Sequence, residues 1–138
     1  MGVEMNDAIV IRNMLTTAKT IAVVGLSDNP TKPSYSVSRY MQYAGYRILP
    51  VNPTIQSVLG EQAYGSLTDL PIKPDIVNVF RLPKAISPIV DEMIALGLKQ
   101  LWVQLGIRNE EAARRAEEAG IEVVMDRCIM IDHSRLGL

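Results

Sequence analysis

The stretch that decides the fold is Thr20-Ile21-Ala22-Val23-Val24-Gly25, followed by Leu26-Ser27-Asp28-Asn29-Pro30-Thr31-Lys32-Pro33. Its first half is a short, unbroken apolar run with β-branched residues, closed by glycine. A run of that kind suits a strand buried on both faces, as in a parallel sheet. Its second half is a polar turn that opens a helix at Pro33, where proline is tolerated in the first turn. Strand, glycine turn and helix start together form one βα unit.

Working outward, the same alternation recurs about five times. Residues 20–25, 46–51, 75–80, 100–105 and 121–125 read as strands. Helix patterns fall at 6–18, 33–44, 84–96 and between Asn109 and Gly120. In the first helix Asn6 is the expected cap, and Ile9, Val10, Met14 and Leu15 the expected buried stripe. Val37, Tyr40 and Met41 share one side of the second. Gly45, Gly97 and Gly120 are the expected helix stops. Asn109 is the expected cap of the fourth, with Glu110 and Glu111 favouring its positive end. Residues 54–73 are less regular and predict a short hairpin-like or helical excursion near 67–70. Alternating strands and helices argue for an α/β, doubly wound, mainly parallel five-stranded sheet with helices on both faces. A ligand then belongs in the crevice beyond the C-terminal ends of the strands.

Composition narrows the function classes. The 138 residues predict a single domain 1–138, with a lead-in helix at 1–18, a core at 20–126 and a C-terminal tail at 127–138 that has room for a short helix. A net charge of −1 provides no general attraction for nucleic acid or an anionic membrane, and 5% aromatic residues leave few platforms for stacking bases. No segment has the run of about 20 apolar residues that spans a bilayer. One cysteine, Cys128, and one histidine, His133, exclude an internal disulfide framework and a cysteine- or histidine-rich metal site, so no metal is expected. The N-terminal residues lack the basic start and apolar run of a signal peptide, so a reducing, cytoplasmic setting is expected.

The turn after the first strand has the ingredients of a phosphate cradle. Gly25 allows close backbone approach, the helix start offers unpaired N–H groups, Ser27, Asn29, Thr31 and Ser34 are short and polar, and Lys32 adds a cation. It departs from the dinucleotide pattern G-x-G-x-x-G, since Ser27 and Pro30 replace the second and third glycines. An ordinary polar βα loop accounts for it equally well.

An NAD site places Asp or Glu at the end of the second strand, for the ribose hydroxyls. Here that place reads Leu49-Pro50-Val51-Asn52-Pro53, and no carboxylate occurs over residues 45–56. With Lys32, Arg39 and Arg47 nearby in sequence, this suits a ribose carrying a phosphate, as in coenzyme A or NADP. Asn52-Pro53 is also, on its own, a simple turn signal.

Seven blocks carry a resemblance. These are Val23-Val24-Gly25-Leu26-Ser27, Asn29-Pro30, Pro33-Ser34-Tyr35, Pro50-Val51-Asn52-Pro53, Val79-Phe80-Arg81, Trp102-Val103-Gln104-Leu105-Gly106 and Asp126-Arg127-Cys128. Their order and spacing, over residues 21–133, resemble the small bacterial and archaeal CoA-binding domain proteins. The resemblance implies a Rossmann-like fold, coenzyme A as ligand, and kinship to the N-terminal domain of the succinyl-CoA synthetase α-subunit. That synthetase relies on a phosphorylated histidine in a separate domain and on a partner subunit, so its chemistry is not carried over. Position by position, the resemblance puts Gly25, Leu26 and Ser27 at the phosphates, with Asn29, Lys32, Ser34 and Tyr35 close by. It puts Val51, Asn52 and Pro53 at the adenosine end, Phe80, Arg81 and Pro83 on the adenine side, and Gln104 and Gly106 toward the pantetheine.

No complete catalytic apparatus is visible. Cys128 beside Arg127 suggests a thiolate that meets the CoA thiol, but a free cysteine more often behaves as a small buried apolar residue. His133 has Asp126 and Asp132 nearby in sequence as partners, but no nucleophile or oxyanion site accompanies it. The expectation is therefore a CoA or acyl-CoA binding protein. An NADP-linked oxidoreductase and a ligand-free interaction protein of the same fold are the alternatives, and a homodimer is compatible with any of the three.

Overall fold

The computed structural model describes residues 5–138. Five parallel strands form one sheet: β1 (Thr20–Val24), β2 (Arg47–Val51), β5 (Ile76–Val79), β6 (Gln100–Val103) and β7 (Glu122–Met125), in the spatial order β2-β1-β5-β6-β7. Between β2 and β5 a two-residue hairpin, β3 (Ser57–Val58) with β4 (Glu61–Gln62), and a 3₁₀ turn at Leu67–Asp69 fill the irregular stretch. The helices are α1 (Ala8–Thr17), α2 (Pro33–Tyr43), α3 (Ile86–Leu96), α4 (Glu110–Glu118) and α5 (Ile129–Leu136).

The side-chain alternation of the strands explains both helix layers. In β1, Ile21 and Val23 pack with Met14 of α1, Val37 and Met41 of α2, and Ile129 of α5. Ala22 and Val24 point to the other face, with Met93 of α3 and Ala116 of α4. Both faces are covered, which is why the strands read as continuous apolar runs rather than alternating ones. Trp102 of β6 is fully buried and its indole N–H donates to the Arg127 carbonyl at 2.9 Å. Truncating such a residue to alanine costs about 3–5 kcal/mol.

The lead-in helix differs from its expectation. Asp7, not Asn6, is the cap: its Oδ1 accepts the N–H groups of Ile9 at 2.7 Å and Val10 at 3.4 Å. The helix therefore starts later, and its buried stripe is Val10, Ile11, Met14 and Leu15, leaving Ile9 70% exposed. Asn6 lies with positive φ beside the edge strand β7. There its amide donates to the Met125 carbonyl at 2.9 Å and accepts the Met125 N–H at 2.7 Å. One side chain so occupies backbone groups that an edge strand would otherwise leave open.

The strands are also shorter than the apolar runs that predict them. Gly25, Tyr46, Asp75, Phe80, Gln104, Leu105 and Ile121 fall outside the strands. The helix expected at 84–96 begins as a 3₁₀ turn at Pro83–Ala85. Among the described residues no helix is long and apolar enough to cross a membrane.

Candidate functional site: the crevice at the strand ends

Strand order reverses at β1, which has β2 on one side and β5 on the other. Chains leaving β1 and β5 diverge there and open a crevice. Val24, Val51 and Val79 end level with one another. The ladder runs one step further, from the Gly25 N–H to the Val51 carbonyl (2.9 Å) and from the Phe80 N–H to the Val24 carbonyl (2.8 Å).

Gly25 has φ +89°, and a Cβ there would stand 2.5 Å from the Phe80 carbonyl oxygen and 3.1 Å from Arg81 Nε. Only glycine fits. The same numbers place the Arg81 side chain directly over the glycine. Among the described residues Arg81 forms no ion pair, and neither does Lys32.

The turn after Gly25 is shaped by its own polar side chains. Ser34 Oγ accepts the Ser27 N–H at 3.0 Å, Ser27 Oγ accepts the Asn29 N–H at 3.0 Å, and Asn29 Oδ1 accepts from Thr31 N and Oγ1 at 3.0 and 2.8 Å. Each serine accepts one bond here, which leaves its hydroxyl hydrogen to donate elsewhere. Lys32 occupies the N-cap position of α2 without a side-chain cap. Its carbonyl accepts from the Tyr35 and Ser36 N–H groups at 3.1 and 3.3 Å, and Pro33 has no N–H, so the Ser34 N–H is the donor left open in this first turn. Leu26 is fully buried, and Tyr35 packs against the second core.

Asn52 links the first two loops. Its amide donates to the Leu26 carbonyl at 3.0 Å, and its Oδ1 accepts from Thr54 N and Oγ1 at 3.0 and 2.7 Å. The hairpin is held beside it: the Asn52 N–H donates to the Tyr64 carbonyl at 2.8 Å, and the Tyr64 N–H to that of Pro50 at 3.0 Å. A groove of about 530 Å³ opens here, lined by Asn52, Pro53, Gln56, Gln62 and Tyr64. Val51 belongs to the core, so only its backbone faces this end. Two cations singled out in the sequence are not part of this geometry. Arg47 pairs with Thr20 at the start of β2, the opposite end of the sheet, and Arg39 lies over the Tyr43 ring at 5.5 Å.

At the far side, Gln104 is buried and its Nε2 donates to Asn78 Oδ1 at 2.8 Å. The Gly106 N–H donates to Asp126 Oδ1 at 2.6 Å, and Arg108 reaches Asp126 at 3.2 Å and Glu110 at 2.8 Å. The Gly106 N–H, and after it Arg108, hold the Asp126 carboxyl below its ordinary range. The Pro83 carbonyl accepts from Asn109 Nδ2 at 3.0 Å.

The residues that suggested chemistry are engaged otherwise. Arg127 grips buried Asp132 through two bonds, at 2.8 and 2.6 Å. His133 is buried with Nδ1 3.0 Å from the Tyr40 hydroxyl, and the Tyr46 ring stands edge-on to it. Asp126 and Asp132, the carboxylates considered for His133, are thus bonded to other partners. Sequence reasoning missed the Asn52–Tyr64 wall, because a two-residue hairpin leaves almost no periodic signal. It also missed the Asp126–Gly106 lock, for which a strand ending in Asp-Arg was the sole hint.

A five-stranded parallel sheet with helices on both faces and its strand order reversing at β1 is a doubly wound, Rossmann-like α/β fold. The chain is a member of the CoA binding domain family, whose model matches residues 19–134. It is 44% identical over 124 residues to the uncharacterized protein YneT of Bacillus subtilis, covering 90% of this chain and 92% of that one. A solved structure from Thermus thermophilus, cell-free ID.343, superposes with a TM-score of 0.89 at 45% identity, covering 94% of this chain and 98% of the other. The α subunit of the ADP-forming acetate–CoA ligase II of Pyrococcus furiosus is 26% identical over 129 residues. That match takes in 86% of this chain but only 28% of the subunit.

Proposed function

We propose that the crevice binds coenzyme A or an acyl-CoA, and that binding rather than catalysis is the task of this chain. The observation that carries this reading is the Arg81 side chain lying over Gly25 without an acidic partner among the described residues. A cation set against a glycine turn and an uncapped helix start suits a pyrophosphate. The backbone at Gly25 and Leu26 and the hydroxyls of Ser27 and Ser34 complete the cradle, with Asn29 shaping it and Tyr35 backing it. Lys32 is the cation for the phosphate on the ribose.

The end of β2 supports the same ligand. Asn52 stands where an NAD site needs a carboxylate, and it is spent on Leu26 and Thr54. Val51, Asn52 and Pro53 then flank the nucleoside, Phe80 and Pro83 border it from the β5 side, and Gln104 and Gly106 lie under the pantetheine. NADP also carries a phosphorylated ribose and is the second reading.

Native mass spectrometry of freshly purified protein tests this. The expected result is an added mass equal to coenzyme A, lost in Arg81→Gln, since a charged hydrogen bond to phosphate is worth about tenfold or more in affinity. An added mass equal to NADP, or a CoA mass that Arg81→Gln leaves untouched, would overturn the assignment.

A further inference from the structure

On the same edge of the sheet, past β6, lies a second groove of about 240 Å³ between the β6 loop and α5, lined by Leu105, Cys128 and Ile131 together with Asp126, Arg127, Asp132 and Arg135. Gly106, in the loop after β6, donates its N–H to Asp126, one of the groove's lining residues. Two of the groove's lining residues are exposed aliphatics, Leu105 at 63% and Ile131 at 41%. Exposed aliphatic side chains that converge on a concavity mark a binding surface more often than scattered ones do.

The geometry points to this groove as the seat of the acyl group of an acyl-CoA, of the short, uncharged aliphatic class. The inference rests on the CoA reading above and names the part of the ligand that reading leaves open. Reach agrees with it. From β1 to β7 is three strand spacings, roughly 15 Å. The pantetheine arm has the length of about four extended residues, again roughly 15 Å. An arm anchored at Gly25 and laid across the ends of β5 and β6 therefore delivers its sulfur to the β7 side.

Polarity agrees as well. The groove at the opposite end, beside β2, is walled by the amides of Asn52, Gln56 and Gln62, which suit a nucleobase. The β7 groove offers two aliphatic walls and the Cys128 side chain. The charge of Arg127, which could have met a carboxylated acyl group, is balanced by Asp132, held through Nε and Nη2. Arg135 is exposed at the lip.

Calorimetric titration with CoA, acetyl-CoA, butyryl-CoA and succinyl-CoA tests the inference. Butyryl-CoA is expected to bind about tenfold more tightly than CoA, with acetyl-CoA between them, from the added apolar area. In Leu105→Asn that ratio is expected to fall below about threefold. Leu105 is largely exposed, so the substitution leaves the fold intact, and melting temperature checks this. Ile94→Asn, at an exposed position on α3, should keep the ratio. Equal affinity for CoA and butyryl-CoA would overturn the inference while leaving CoA binding in place. So would a preference for succinyl-CoA, a ratio unchanged in Leu105→Asn, or a ratio lost in Ile94→Asn. Failure of CoA itself to bind would remove the underlying reading and this inference with it, and the CoA titration alone distinguishes that case.

Discussion

Gly25 and Asn52 carry more of the crevice than their size suggests. At Gly25 the left-handed backbone and the nearby Phe80 carbonyl both oppose a side chain. Gly25→Ala therefore loses at least about 1–2 kcal/mol from backbone conformation alone, and more as Phe80 is displaced. A fall in melting temperature together with weakened ligand binding is the expected outcome. Asn52→Ala leaves the Leu26 carbonyl unpaired and frees Thr54, at a cost of about 1–3 kcal/mol. Chemical denaturation measures it, and a midpoint equal to the parent's would contradict the tie between the two loops. The residue types of this turn were legible in the sequence, but their division of labour was not. Asn29 is an internal strut there, and Arg81, which the resemblance put on the adenine side, stands over Gly25. The place of Arg81 does not follow from spacing, because it depends on where β5 ends relative to β1.

At the scale of elements, caps and strand ends made the difference between expectation and structure. Asn109 caps α4 as its position suggests, with Oδ1 accepting the Ala112 N–H at 3.0 Å, while its amide also holds the Pro83 carbonyl. Asn109→Ala should therefore cost about 1 kcal/mol from the cap. The same change should speed amide exchange at both ends of that link, in the first turn of α4 and around Pro83–Ala85. Exchange altered in α4 alone would contradict the link. Two residues able to cap stand side by side before α1, and Asn6 is the expected one. Tertiary structure chooses: Asn6 is drawn to Met125 of β7, so Asp7 is left to start the helix. The five apolar runs were readable because each is buried on two faces. Their ends were less so, because apolar residues such as Leu105 continue past the last paired residue into the loops.

Across the whole molecule, α1, α2 and α5 cover one face of the sheet and α3 and α4 the other. This doubly wound plan was fully present in the alternation of strand and helix signals. The contacts that fasten the C-terminal helix were not, because they join residues far apart in sequence. His133 is one such contact, meeting Tyr40 across 93 positions. Burial pushes its pKa down from the ordinary value near 6.5. Between that value and the lowered one, the unfolded chain holds the proton that the folded chain refuses. Stability from this residue is therefore complete above about pH 7 and declines as the medium is acidified below about 6.5. Melting temperatures from pH 8 to pH 5 should fall more steeply for the parent than for His133→Gln. Parallel curves would show that His133 carries no such linkage.

The most direct test of the central claim is a calorimetric titration of the purified protein, freed of any bound ligand, with coenzyme A and then with NADP under the same conditions. Saturable one-site binding of coenzyme A, with NADP at least about tenfold weaker, is the predicted result. Binding of NADP in preference to coenzyme A, or of neither, would contradict it.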